Sequence, residues 1–315
     1  MKVIHLSHPI QFNEKEQQID SHVMAIGDFD GVHLGHQKVI RHAVDWAQYQ
    51  GIAASVMTFH PHPREVLGNE QYSRTLASLQ DRLDRFEQLG VDMVFVVEFH
   101  AEFAKLSPEV FLNQYVKQLK ARAVVVGFDF KFGNKGAGNA QTLEAWAGGE
   151  GILVHIIPAY QLDGEKISSS QIRELIEKGR VKEAKHRLGY YYTIAGKVIH
   201  GHARGRTIGF PTANLELNHA YVLPQSGVYA VLVTADEDRR MAGVMNIGVK
   251  PTFHSGHDLS IEVHIMDFQG DLYGKTLQVE ILEHIRAEQK FPSIEALVEQ
   301  IKRDSENAKK IAEQV

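Results

Sequence analysis

Two periods of apolar residues divide this chain. Up to about residue 157, short apolar runs alternate with stretches of helical spacing. Val3–Leu6, Val23–Ile26, Ala53–Phe59, Val91–Val97, Val124–Gly127 and Ile152–Ile157 read as strands, each too short for a helix. Between them, Val39, Ile40, Ala43, Val44 and Ala47 recur every three to four positions, so a helix begins near Gly35. Leu76–Leu89, stopped by Gly90, and Phe103–Leu119 have the same spacing. Such alternation predicts a parallel sheet with helices on both faces. Glu174–Leu188 is a charged helical stretch closed by Gly189, and from Tyr190 the period changes to two. Thr193–Ile199, Gly227–Thr234, Ala242–Gly248, Leu259–Met266 and Leu277–Leu282 are strand candidates separated by turns, which favours a small antiparallel barrel. Ile294, Leu297, Val298, Ile301, Ala308 and Ile311 mark one closing amphipathic helix. The pattern predicts two domains, 1–186 and 187–315.

Composition narrows the chemistry. The absence of cysteine removes disulfides, thiolate metal sites and cysteine nucleophiles together. A net charge of −5 gives no support to nucleic-acid binding, so an anionic ligand needs locally positive potential. No apolar run is long enough to span a bilayer, and no basic leader with an apolar core opens the chain; a cytoplasmic protein is expected. Self-association is left open. Most of the 18 histidines stand singly and need no metal to explain them.

Four stretches of the first half carry candidate chemistry. Gly27–Gln37, GDFDGVHLGHQ, joins a strand to a helix, where bare backbone N–H groups attract phosphate. His33 and His36 sit at that entry on one helical face. At the end of the next strand, His60, Pro61, His62, Pro63 and Arg64 form a stiff loop whose basic side chains suit a ligand wall, or simply a surface. Phe128–Gly138 mixes aromatics, Asp129 and glycines, fitting either a nucleotide loop or a surface loop. Ser168, Ser169 and Ser170, between Lys166 and Arg173, open a helix; one serine suffices as an N-cap, whereas the cluster suits a second phosphate clamp.

In the second half, Gly196–Leu215 reads GKVIHGHARGRTIGFPTANL and lacks the Walker A pattern. Thr212 and Asn214, launched by Pro211, supply oxygens suited to Mg²⁺ beside nucleotide phosphates. In Ser260–Met266, period two places Ile261, Val263 and Ile265 on one face and Glu262 and His264 on the other. Taken alone, Glu262 reads as an ordinary exposed strand residue.

GDFDGVHLGHQ, TFHPHPRE, VVGFDFKFG and ISSSQIRE, in this order, resemble the adenylyltransferase module of bacterial FAD synthetases, within the HxGH nucleotidylyltransferases. GRTIGFPTANL, GVYAV, GVMNIGVKPTF, SIEVHIMDF, GDLYGK and IRAEQKF resemble the riboflavin kinase module. Together they cover nearly the whole chain and resemble the bacterial bifunctional riboflavin kinase/FAD synthetase family. That resemblance implies a Rossmann-like α/β nucleotidylyltransferase domain followed by a riboflavin kinase barrel with a closing helix. It implies riboflavin, FMN and ATP as substrates, with Mg²⁺ accompanying ATP. His33 and His36 would meet ATP phosphates, with Gly27, Phe29, Asp30, Gly31, Gly35, Asp129, Lys166, Ser169, Ser170 and Arg173 completing that site. His60, His62 and Arg64 would face FMN. Gly201, Arg204, Gly205, Arg206, Gly209 and Pro211 would cover the kinase nucleotide, Thr212 and Asn214 would hold the metal, and Glu262 would be the base. Family members commonly carry Asn where this chain has Asp28, which leaves Asp28 without a role. The alternatives are a member with one silent module and a flavin-binding protein without catalysis; neither explains two intact nucleotide-facing motif sets.

Overall fold

The computed structural model describes residues 1–10, 19–201, 205, 208–235, 239–250 and 258–315, with backbone only at 71, 249–250 and 258–259. The chain forms two compact units, Met1–Ser169 and Ser170–Val315.

In the first unit, strands β1 (Lys2–Leu6), β2 (His22–Ile26), β3 (Ala53–His60), β4 (Met93–Glu98) and β5 (Ala121–Gly127) form a sheet. After a two-residue hairpin, β6 (Lys131–Phe132) with β7 (Gly138–Asn139), β8 (Leu153–Ile157) adds the sixth strand. The order is β1-β4-β3-β2-β5-β8 and every pairing is parallel. The apolar runs are continuous because both faces are covered. Alternate residues part to opposite sides: Met24, Ile26, Met57, Phe95, Val97, Val124 and Val126 enter one core cluster. Val23, Ala25, Val56, Val94, Val96, Ala123 and Val125 enter the other. Helix α1 (Leu34–Gln50) covers the second cluster with Val39, Ile40, Ala43 and Ala47 and ends on Gly51 in the left-handed conformation. The central strand β2 therefore delivers the Gly27–Gln37 turn to the carboxyl edge of the sheet, where ligands of open α/β sheets collect.

Several boundaries differ from the periodicity. His60–Arg64 is not only a loop: His62 caps a single helical turn, α2 (Pro63–Val66). Helix α3 spans Leu79–Gln88 rather than starting at Leu76, because Ser78 and Asp81 form a capping box. The expected helix over Phe103–Leu119 is broken into a 3-10 turn, α4 (Pro108–Leu112) and a π turn over Asn113–Lys117, since Pro108, capped by Ser107, starts a new helix. Helix α5 (Ala140–Glu150), capped by Asn139, carries Gly148 and Gly149 and little apolar stripe, so periodicity does not announce it. A short hairpin, β9 (Gln161–Leu162) with β10 (Glu165–Lys166), precedes α6 (Ser169–Glu177). The charged stretch expected as one helix is two, α6 and α7 (Val181–Leu188), divided at Gly179, whose φ of +70° only glycine adopts readily.

The second unit closes β11 (Tyr192–Ile199), β12 (Ala213–Leu217), β13 (Gly227–Thr234), β14 (Arg240–Lys250), β15 (Asp258–Ile265) and β16 (Thr276–Arg286) into an antiparallel barrel of order β11-β12-β15-β14-β13-β16. Strand β12 is not among the strands that periodicity predicts; pairing with β11 and β15 recruits Ala213–Leu217 into the sheet. Helix α8 (Ile294–Ala312) packs Ala308 and Ile311 against Val228, Ala230, Leu232 and Leu282. Ile294, expected on its apolar stripe, is 63% exposed because the contact lies at the helix's other end. There Asp304, 3% exposed, accepts from Arg286 Nε at 2.9 Å and from Gln300 Nε2 at 2.9 Å.

Candidate active sites

The first site begins at Gly27, where a Cβ would stand 2.8 Å from the Phe29 ring. Phe29, Gly31 and Val32 all have positive φ, +56°, +76° and +34°, so the turn holds a strained backbone at the sheet edge. Phe29 is 3% exposed and packs edge-on to His36, which leaves its backbone as the part able to meet a ligand. Asp30 is also 3% exposed; its Oδ1 accepts from the backbone N–H groups of Leu76 (2.9 Å) and Ala77 (3.3 Å). Its carbonyl accepts from Ser169 Oγ at 3.0 Å, bringing the serine cluster's middle member to the turn.

His33 caps α1: its Nδ1 accepts from the His36 backbone N–H at 3.2 Å. The His33 and His36 rings stack with centroids 3.6 Å apart. Burial lowers the His33 pKa from 6.5 to about 4, and burial, followed by repulsion from His33 whenever that ring is protonated and from the Arg82 guanidinium, holds His36 well below its ordinary value. Both imidazoles are therefore neutral at pH 7, and with Nδ1 accepting, His33 carries its proton on Nε2. They can meet phosphate as neutral N–H donors. His36 Nδ1 is buried and has no hydrogen-bond partner among the described residues. Gly35 sits against both the His33 ring and Tyr160. Beyond it, a cleft of about 430 Å³ runs along α1, lined by Leu34, Gln37, Lys38, Arg41, His42, Asp45 and Tyr160. Lys38 and Arg41 give it the local positive charge that a chain of net charge −5 lacks overall.

Lys166 Nζ lies 2.7 Å from Asp129 Oδ2 and 4.5 Å from the centre of the Phe128 ring. Phe132 is instead a core residue, with Phe130 packed against that core. Ser170 and Arg173 follow on α6 and fall in the second compact unit; Arg173 is 7% exposed. His60 and Arg64 are exposed whereas His62 is buried. Sequence reasoning missed Arg82. It is 5% exposed, and its Nη1 donates to the Asp28 carbonyl and Thr58 Oγ1 at 2.8 and 2.9 Å. Its position on the inner stripe of a charged helix gave no signal of that role.

The second site lies on the outer face of the barrel. Ile261, Val263 and Ile265 are buried while Glu262 and His264 alternate outward, as period two requires. Register places Glu262 between Asn214 of β12 and Asn246 of β14, and directly opposed residues share a face. Thr212 Oγ1 donates to Glu262 Oε2 at 3.4 Å. His264 Nδ1 donates to the Pro211 carbonyl at 2.8 Å, tying down the segment that carries Thr212 and Asn214. Gly201 and Gly205 are points of close approach: a Cβ would lie 2.1 Å from Asn214 Nδ2 at the first and 2.2 Å from the Phe210 carbonyl oxygen at the second. Gly209 has a φ of +84°. Arg204 and Arg206 lie outside the described residues. Asn246 belongs to this neighbourhood but escapes sequence reasoning, because strand register alone brings it there, whereas His264, already on the Glu262 face by period two, gains only its tie to Pro211 from the fold. Among the described residues no cluster of three His, Asp or Glu could hold a metal. A hydroxyl, an amide and one carboxylate are hard oxygen donors that fit a Mg²⁺ sharing its coordination with phosphates.

Comparison with known proteins assigns both halves. A family model described as FAD synthetase matches residues 15–171, and one described as riboflavin kinase matches residues 188–312. A Bacillus subtilis protein named bifunctional riboflavin kinase/FMN adenylyltransferase is 44% identical over 98% of this chain and 97% of its own. The Escherichia coli K12 protein of the same name is 36% identical over 91% of each chain. A solved Streptococcus pneumoniae structure titled a macrolide-efflux protein is 34% identical, with a TM-score of 0.88 over 98% of this chain and 99% of its own. No helix of the described residues is long and apolar enough to cross a membrane. With near-full-length identity of this order and a family model on each half, the chain belongs to the bifunctional riboflavin kinase/FMN adenylyltransferase family.

Proposed function

We propose that this chain makes FAD from riboflavin in two steps, in the cytoplasm, with riboflavin, FMN and ATP as its small-molecule partners. In the C-terminal domain, 187–315, the primary hydroxyl of riboflavin attacks the γ-phosphorus of ATP, giving FMN and ADP. An alcohol needs a base near neutral pH, and Glu262 takes its proton as the new P–O bond forms. Thr212 and Asn214 would hold Mg²⁺, which when bound offsets phosphate charge. Gly201, Gly205 and Gly209, with Arg204, Arg206 and Pro211, form the nucleotide cover. In the N-terminal domain, 1–186, a phosphate oxygen of FMN attacks the α-phosphorus of a second ATP, giving FAD and pyrophosphate. That oxygen is already anionic and needs no base, so the site aligns two anions and stabilises the charge passing to pyrophosphate. His33 and His36 donate N–H groups to the phosphates, with Gly27, Phe29, Asp30, Gly31 and Gly35 shaping the turn. Asp129, Lys166, Ser169, Ser170 and Arg173 complete the ATP site, and the His60, His62 and Arg64 segment supplies the FMN wall.

The observation that carries this division is the different fate of carboxylates at the two sites. Glu262 touches a hydroxyl beside oxygen donors, whereas Asp28, Asp30 and Asp129 are engaged by His62, by backbone N–H groups and by Lys166. Incubation with ATP and Mg²⁺ and either riboflavin or FMN tests it, with FMN, FAD, ADP and pyrophosphate quantified. Glu262→Gln should stop FMN formation while added FMN is still converted to FAD; His36→Ala should do the reverse. Loss of both half-reactions from either substitution in a folded protein would refute the division.

A further inference from the structure

Asp28, the residue that the family resemblance leaves without a role, has a specific partner. Its Oδ2 lies 2.7 Å from His62 Nε2, and His62 Nδ1 accepts the backbone N–H of Arg64 at 3.0 Å. A ring nitrogen that accepts carries no proton, so this is the neutral imidazole with its hydrogen on Nε2, donated to Asp28. His62 is 9% exposed and its ring stacks on Tyr72 with centroids 4.8 Å apart. Neither nitrogen can turn to a phosphate without giving up a bond already made.

The two bonds connect separate parts of the sheet edge. Asp28 is anchored through its carbonyl, which accepts from Thr58 Oγ1 and Arg82 Nη1 at 2.8 Å each. His62 is the N-cap of α2, whose first turn carries Arg64. The Arg64 guanidinium lies 4.7 Å from the centre of the Tyr72 ring and donates to the Tyr72 hydroxyl. A carboxylate only accepts, so Asp28 can pair with the Nε2–H tautomer alone. An amide at this position could accept the same hydrogen through its oxygen, but it could also donate, so unlike a carboxylate it would not by itself exclude the Nδ1–H tautomer, whose hydrogen would meet the Arg64 N–H.

Resting on the adenylyltransferase reading, we propose that Asp28 is a positioning residue. It selects the His62 tautomer that caps α2 and thereby holds Arg64 in the wall that receives the FMN phosphate. His62 stands behind that wall and is not itself a ligand group.

The test uses the full chain labelled with ¹⁵N-histidine. Long-range ¹H–¹⁵N correlation at pH 7.5 identifies the His62 tautomer, with the signal assigned by its loss in His62→Gln. Steady-state FMN adenylylation is measured in parallel with FMN and ATP varied separately. The wild type should show Nε2–H. Asp28→Ala should lose that single tautomer and raise the KM for FMN about tenfold, with kcat and the KM for ATP nearly unchanged. Asp28→Asn, whose amide oxygen can still accept from Nε2–H, should recover most of both. A wild-type His62 in the Nδ1–H or doubly protonated form overturns the proposal, and that reading needs no variant to fold. So does an Asp28→Ala protein with an unchanged tautomer and FMN KM, or one whose KM rises for ATP instead. A wild-type protein that does not adenylylate FMN at all would sink the functional reading, while the tautomer would still decide the Asp28–His62–Arg64 link.

Discussion

Lowering the pH should destabilise the first compact unit through His33, and the size of the effect follows from its surroundings. His33 is 4% exposed, and burial lowers its pKa from 6.5 to about 4. Between those values the unfolded chain binds a proton that the folded one refuses, so stability is full above pH 6.5 and falls as the pH is lowered towards 4. At about 1.4 kcal/mol per pH unit, the whole shift is worth roughly 3 kcal/mol, of which roughly 2 kcal/mol is lost by pH 5. His33→Asn removes the titrating group while its side-chain oxygen can still cap α1. The two tryptophans, Trp46 and Trp146, both lie in Met1–Ser169, so their fluorescence reports that unit alone during urea unfolding. Wild type should lose roughly 2 kcal/mol more than His33→Asn between pH 7.5 and pH 5. The comparison cancels other groups that titrate in both proteins. Equal losses would refute a neutral, buried His33, and with it the picture of the HxGH pair as uncharged N–H donors.

Two further outcomes concern the barrel. Gly201→Ala places a methyl group where Asn214 Nδ2 stands, 2.1 Å away, so the amide must swing aside. FMN formation should fall by about two orders of magnitude, with FAD formation from added FMN unchanged in the same assay. Asp304→Ala strips Arg286 of its buried carboxylate partner, whose Oδ2 lies 2.8 Å from Arg286 Nη2, and should cost about 3 kcal/mol. Far-UV circular dichroism should show that loss as an earlier transition, while the tryptophan signal of the first unit keeps its midpoint.

The architecture was legible because each period in the sequence has one physical meaning. Continuous apolar runs between helical stretches require a sheet buried on both faces, and alternation from Tyr190 onward requires a sheet with two unlike faces. Where local chemistry competes with periodicity, boundaries moved: Ser78 and Ser107 start helices later than the apolar pattern does, and Gly179 divides one charged stretch into two. Helix α5 was invisible to periodicity because its buried side, Ala140, Leu143 and Ala147, is mostly alanine and its end is Gly148–Gly149, which leaves only a weak apolar stripe.

The candidate chemistry divides in the same way. Residue type and spacing alone pointed to HxGH at a strand–turn–helix junction and to a Thr212–Asn214 segment, since backbone donors at a helix entry and side-chain oxygens after a proline are local properties. Glu262 read as an ordinary surface residue until the resemblance singled it out. What sets it apart physically is lateral: β15 lies between β12 and β14, so Asn214 and Asn246 flank it, and Thr212 reaches it from 50 residues away. The same holds for Asp28, whose partner His62 comes from the neighbouring strand's end. The sequence by itself determined which backbone conformations and which functional groups were present. Only the tertiary structure decided which groups meet, because strand order and register, set by burial of the whole sheet, are not encoded in any one segment.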